Sequence, residues 1–309
     1  HFEKIESIVN DILFNPTFPD HELELMKEIQ IQQLVINEQK NNFVASRLFR
    51  SNLYGSFPYG HVMNEENIKS ISVEDLINHF EQWIKGKFDI FLTGSFDPAL
   101  QNRIVNLFGK NLVQTNEFER KAFTTFNHFE KFKEREESLQ SSIFMGKRCI
   151  NRDHKSYSSV LLLNEVFGGY FGSRLMQNIR EDKGLTYSIH SHLVTLKNDA
   201  YFVINSDVKK EYKDQAVDEI NNEISKLKTE LISKDELLQV KNYLKGSILN
   251  TLTTPFALTE KLKNIYFYNL EADFYKKLFD QIDHTSSEEL LNLANDVLFD
   301  RSLSRVIVG

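Results

Sequence analysis

The chain has 309 residues, 41% hydrophobic and 26% charged, ordinary globular proportions that exclude disordered and collagen-like classes. A formal net charge of −7 argues against a nucleic-acid-binding body, no apolar run approaches the ~18 residues of a membrane span, and the single cysteine, Cys149, closes no internal disulfide. Glycine and proline number 12 and 5, under half of their usual share of roughly 12%, so helices should dominate.

In chain order, Phe2, Ile5, Ile8, Val9, Ile12 and Leu13 follow helical spacing until Pro16 and Pro19 stop the run. From residue 20 to about 53 the pattern is helical again, with Glu22 and Glu24 in the favourable first turn and a polar interruption at Asn41 and Asn42, which predicts one long helix or two. Ser72 followed by Asp75 is a capping box opening a helix through Leu76, Ile77, Phe80, Trp83 and Ile84. Residues 88–96 then alternate like a strand, and Asp97 caps a helix whose first position is Pro98. Residues 110–137 are charged and lack a clean period, although Phe123, Phe126, Phe129 and Phe132 recur every third residue among Lys and Arg. Such interleaving suits single-stranded nucleic acid, but an interdomain tether pinned by phenylalanines explains it more simply. Beyond it the spacing predicts a strand over 141–149, helices over 158–167 and 173–182, a hairpin of 185–196 with 200–208, a series of helices, and a last strand over 302–309.

An internal repeat emerges when the two parts are aligned. Ser72, Asp75, Leu76, Asn78 and Trp83 map at a constant offset of 214 onto Ser286, Glu289, Leu290, Asn292 and Val297. The expected fold is therefore α+β, with two tandem homologous domains, each an antiparallel-rich sheet packed by helices: 1–115 as the C-terminal part of a first domain, 116–137 as a linker, and 138–309 as a second domain. The first copy lacks about 75 residues at its front, those matching the strand, two helices and hairpin of the second. The chain opens at His1 without an initiator Met or a signal-like segment, which reads as a processed form or fragment.

Four of the twelve glycines, Gly168, Gly169, Gly172 and Gly184, fall in one window reading GGYFGSRLMQNIREDKGLTYS. Its spacing is neither G-x-G-x-x-G nor a P-loop, which disfavours a phosphate site. The window reads as a flexible turn into a helix that ends near Arg180, then a turn at Gly184 into a strand carrying Tyr187. Guanidinium and phenol together can donate to one carbonyl oxygen. Spacing alone favours the simpler outcome, Arg180 paired with Glu181 or Asp182 and Tyr187 an ordinary strand aromatic. His190 and His192 share a strand face and suggest a metal, yet no third ligand is identifiable. Strict alternation puts Tyr187 on the other face. Cys149 on its strand reads as a small core residue.

The stretch GG-x-F-x-SRL-x-Q-x-IRE-x-x-GL-x-Y-S resembles the second domain of the insulinase and pitrilysin family of zinc metallopeptidases. The segments NPTFPDHELELMKEIQ, PYGHVMNEENIKSISVEDLINHF and RVIVG are similar to family segments in the same order. The resemblance implies two homologous α+β domains forming a clamshell, with Arg180 and Tyr187 at the positions of the family's substrate-binding Arg and Tyr, which contact the peptide backbone near the scissile bond.

Catalysis in that family requires an H-x-x-E-H helix and a further Glu on the metal. None of the nine histidines here lies in H-x-x-E-H, and the alignment puts the further Glu at Gln33, a neutral amide that is a poor zinc ligand. Glu28 and Glu38 stand five residues to either side, about 140° around the helix. The resemblance thus implies no catalytic residues and no metal ligand in this chain, inactive alone, with zinc carried by a partner chain or by a segment before His1. The expected function is a non-catalytic, peptide-binding subunit that supplies Arg180 and Tyr187 to a zinc-bearing family partner in a heterodimer, or to its own copy in a homodimer. Two alternatives stand beside it: an active zinc endopeptidase whose H-x-x-E-H precedes His1, and a purely structural assembly subunit. The compartment, bacterial periplasm or cytoplasm, stays open.

Overall fold

A computed structural model describes residues 2–84, 89–109 and 127–309. The described residues group into two compact units, drawn from residues 1–37 and 63–123 and from residues 38–62 and 124–309. Among the described residues, no helix is long and apolar enough to cross a membrane.

In the first unit, α1 (Phe2–Phe14) ends ahead of Pro16, and α2 (Asp20–Glu38) opens with Asp20 and Glu22 in its first turn. The run from residue 20 to 53 is two helices, because Lys40 adopts an extended conformation (φ −87°, ψ 121°) before α3 (Asn41–Tyr54), which belongs to the second unit, begins. Further on, α4 (Glu65–Ser70) and α5 (Val73–His79) each start at a capping box, of Asn64 with Asn67 and of Ser72 with Asp75. Asp97 accepts from the Leu100 N–H at 2.8 Å and so caps α6 (Pro98–Gly109). Phe14 meets Phe108 edge-on at 5.9 Å, joining α1 to α6. The strand expected over 88–96 does not form at the described residues 89–96. Alternating side chains specify a strand only where a neighbouring strand takes up the backbone N–H and C=O groups, and no strand pairs with this segment among the described residues. Phe88 lies outside the described residues.

The second unit is built on a single five-stranded sheet: β1 (Glu130–Lys133), β2 (Gln140–Cys149), β3 (Thr186–Thr195), β4 (Ala200–Lys209) and β5 (Ser304–Val308), in spatial order β1-β5-β2-β4-β3. All pairings are antiparallel except β1 with β5. The antiparallel-rich sheet packed by helices is thus present. The sequence of β1 carries no strand signal, since EKFK is short and charged and, among the described residues, pairs with the far end of the chain.

One face of the sheet carries Ile143, Met145, Ile189, Phe202, Ile204 and Ile307 into a buried core. This core is closed by α7 (Tyr157–Asn164), α8 (Lys213–Thr229), α9 (Lys234–Asn250), α11 (Phe274–His284) and α12 (Ser287–Leu293); α10 (Pro255–Phe267) has no buried residue. The other face carries Phe144, Gly146, Tyr201 and Val203, and α3 lies on it: Phe49 stands 6.2 Å from Phe144 and 6.3 Å from Tyr201. Helices on both faces explain why β2 is buried along most of its length rather than alternately.

The sequence repeat has a local structural counterpart. α5 runs into a π-helical turn at Phe80–Ile84, and α12 into one at Ala294–Leu298, the same positions shifted by 214. Ser72 accepts from the Asp75 N–H at 3.1 Å and Ser286 from the Glu289 N–H at 3.2 Å.

Candidate functional site

The glycine window connects α7 to the hairpin β3–β4. α7 loosens into a π-helical turn, Glu165–Gly169, and after Tyr170 a second helical segment leads into the π-helical stretch Met176–Asp182. The flexible turn expected here is instead closely packed. A Cβ on Gly168 would lie 2.6 Å from Ser191 Oγ, on Gly169 2.5 Å from Glu165 Oε1, and on Gly172 2.8 Å from the Tyr170 ring. These glycines serve close approach, and of the four only Gly184 has a positive φ, +62°. It closes the helix end, where the N–H groups of Gly184 and Leu185 return to the Arg180 and Ile179 carbonyls at 3.1 and 3.0 Å.

Three polar anchors fix this segment to the helices behind it. Arg174 pairs with Glu236 of α9, Asn178 donates to Glu223 of α8 at 2.8 Å, and Lys183 pairs with Glu219 of α8. Beneath the turn, Asn164 accepts from Ser191 Oγ at 2.9 Å. Burial pushes the Glu165 carboxyl up to about 7, against the hydrogen bond from Asn164, which pulls it down.

Arg180 emerges at the end of this platform. Its Nη1 lies 3.2 Å from Glu181 Oε1, the surface pairing that spacing alone favoured, and its guanidinium carbon sits 4.9 Å from the centroid of the Phe171 ring. Phe171 was missed in the sequence, because nine residues separate it from Arg180 and only the turn folds it back.

Tyr187 stands at the start of β3, an edge strand, and is 90% exposed. The ladder to β4 steps from Thr186↔Val208 to Ile189↔Ser206, so Tyr187 and Ser188 together oppose Asp207. This is a β-bulge. The extra residue breaks the strict alternation that was expected to put Tyr187 and His190 on opposite faces. Thr186 fastens the bulge: its Oγ1 donates to the Asp207 carbonyl at 2.6 Å and accepts from the Ser188 N–H at 3.1 Å. Asp207 also accepts from Ser142 Oγ and, with Ser142, Asn41 and Arg135, lines an open groove of about 1150 Å³.

His190 and His192 share a face, their rings 6.0 Å apart. Burial, and then His190, hold His192 below the usual histidine range. Among the described residues no three His, Cys, Asp or Glu side chains gather as a metal-holding group. Gln33 and Glu28 are exposed on α2, and Glu38 is engaged by Arg47 at 3.4 Å. A neutral amide with no clustered carboxylate or imidazole does not fit a zinc ion. Cys149 packs at the edge of the core, where burial pushes its thiol up, which suits a small apolar role. Of the four phenylalanines, Phe123 and Phe126 lie outside the described residues. Phe129 meets Phe49 edge-on at 5.8 Å, and Phe132 is exposed.

This edge strand and packed glycine turn occur within a match to a known family: the model of the peptidase M16 inactive domain aligns with residues 70–244. The chain belongs to the M16 peptidase family. The M16 chain is 24% identical over 250 residues to a Bacillus subtilis protein described as the uncharacterized zinc protease YmxG, covering 79% of this chain and 60% of that protein. It is also 24% identical over 294 residues to the non-peptidase homolog YmxG of Helicobacter pylori, covering 91% of this chain and 66% of that one. The chain thus spans about three fifths to two thirds of the length of these relatives. In fold it is similar to a crystal structure of a peptidase M16 inactive domain from Pseudomonas fluorescens, with a TM-score of 0.87 at 21% identity over all of this chain and 75% of that one.

Proposed function

We propose that this M16 chain is a non-catalytic subunit that holds an extended peptide along the edge of β3 and presents it to a zinc-bearing family partner. The observation that carries this reading is the bulge at Thr186–Ile189, which leaves Tyr187, seven residues after Arg180, exposed on an edge strand. An edge strand offers unpaired backbone groups to an added strand. The Tyr187 phenol and the Arg180 guanidinium supply donors to peptide carbonyls beside it. On this reading the chain holds two copies of one domain, 1–115 and 138–309 joined by 116–137; the shared capping and π-helical turns at offset 214 support it.

The test uses the chain with an H-x-x-E-H-bearing M16 protein from the same source. A fluorescein-labelled unfolded peptide should bind, and the pair should cleave it. Arg180→Ala and Tyr187→Phe should each lower cleavage about tenfold while co-elution of the two chains is retained. Cleavage unchanged in both variants refutes the reading.

A further inference from the structure

We propose that Phe171 is a positioning residue for Arg180: its ring is the platform that holds the guanidinium in the orientation from which it meets a peptide carbonyl. This deepens, and for its peptide arm rests on, the reading above.

Arginine carries four side-chain torsions, and a peptide that binds a loose guanidinium must pay for immobilising it. Here Nη1 is engaged at 3.2 Å by Glu181, which is itself half-exposed, so a surface ion pair alone would fix the group weakly. The second constraint is the Phe171 ring, 4.9 Å from the guanidinium carbon, within the range where the negative face of the ring attracts a cation. Phe171 is 64% exposed, so burial does not account for an aromatic side chain at this position. Its own backbone lies in a closed turn, since the Ser173 N–H returns to the Tyr170 carbonyl at 3.1 Å. On the other side Arg174, Asn178 and Lys183 pin the segment that bears Arg180. Ring and guanidinium therefore project from two anchored stretches of one turn.

The role separates from simple bulk by substitution. Phe171→Tyr keeps the ring and its quadrupole, and Phe171→Leu keeps apolar volume without it. In the free chain, the Nε–Hε signal of Arg180 should be ordered and ring-shifted in the wild type and in Phe171→Tyr, and become averaged in Phe171→Leu. An unchanged Arg180 signal in Phe171→Leu overturns the proposal, whatever the peptide does. With labelled peptide, Phe171→Leu should weaken binding two- to fivefold and Phe171→Tyr should restore it. In an Arg180→Ala background, Phe171→Leu should have no further effect. An equal loss in that background means that Phe171 touches the peptide directly and acts independently of Arg180, which also overturns the proposal. If the wild type shows an ordered Arg180 but binds no peptide, the peptide-holding reading fails while the platform stands.

Discussion

Arg174 grips Glu236 through two parallel hydrogen bonds, Nε to Oε1 at 2.8 Å and Nη2 to Oε2 at 2.9 Å. The pair ties the start of the helical segment bearing Arg180 to α9, and both partners are largely screened from water. Only a planar fork makes this contact. Arg174→Lys, which keeps the charge, is expected to cost about 1–2 kcal/mol, read as a lower urea midpoint. A midpoint equal to that of the wild type would show that the fork adds nothing beyond a single positive charge.

The same substitution at two glycines should have opposite signs. A Cβ on Gly146 of β2 would lie 2.1 Å from the Phe202 carbonyl oxygen and 3.0 Å from Phe49 Cζ. Gly146→Ala must push strand backbone or the α3 ring aside and should destabilise by about 1–3 kcal/mol. Gly246, inside α9, meets nothing within 4 Å, so Gly246→Ala gains helix propensity and should stabilise by about 0.5–1 kcal/mol. Thermal midpoints moving in the same direction in both variants would contradict the packing described for Gly146 or for Gly246.

Glu165 sets a pH dependence. Its carboxyl is pushed up by burial to about 7 in the folded chain, against an ordinary value of 4.5. The native state therefore binds more protons than the unfolded state between these values, and stability falls as pH rises from about 4.5 to about 7. Glu165→Gln removes the buried charge, so it should match the wild type near pH 4.5 and exceed it by about 3 kcal/mol at pH 8. Urea unfolding at both pH values checks the sign; a variant less stable than wild type at pH 8 would mean that the carboxylate is stabilised there.

Thr186 is the fastening of the bulge. Thr186→Val keeps the shape and removes the hydroxyl that joins the Asp207 carbonyl to the Ser188 N–H. It should cost about 1 kcal/mol and raise hydrogen exchange at Tyr187 and Ser188 relative to Ile189. Exchange unchanged at those two amides would show that the backbone pairing alone holds the bulge.

Much was legible in the sequence because it depends on neighbours in the chain. The capping box at Ser72, the cap at Asp97, the stop at Pro16 and the hairpin of β3 with β4 are local hydrogen-bonding or torsional preferences, and the structure repeats them within a residue or two. The repeat at offset 214 and the family motif were equally visible, since both are patterns of identity.

What needed the tertiary structure were the outcomes that depend on a distant partner. Residues 89–96 alternate as β5 does not, yet they form no strand while Ser304–Val308 pairs on both sides. Spacing could not show that Gly168 is a tight contact, because the atoms it admits belong to Ser191 of β3. Nor could parity place Tyr187, because a bulge is a mismatch between two strands and is written in neither alone. The sequence by itself determined most of the helices, the caps at Ser72 and Asp97, and the family resemblance. Which side chains surround Arg180 and how Tyr187 is presented were decided by packing, since long-range contacts choose among conformations that local propensity leaves nearly equal in free energy.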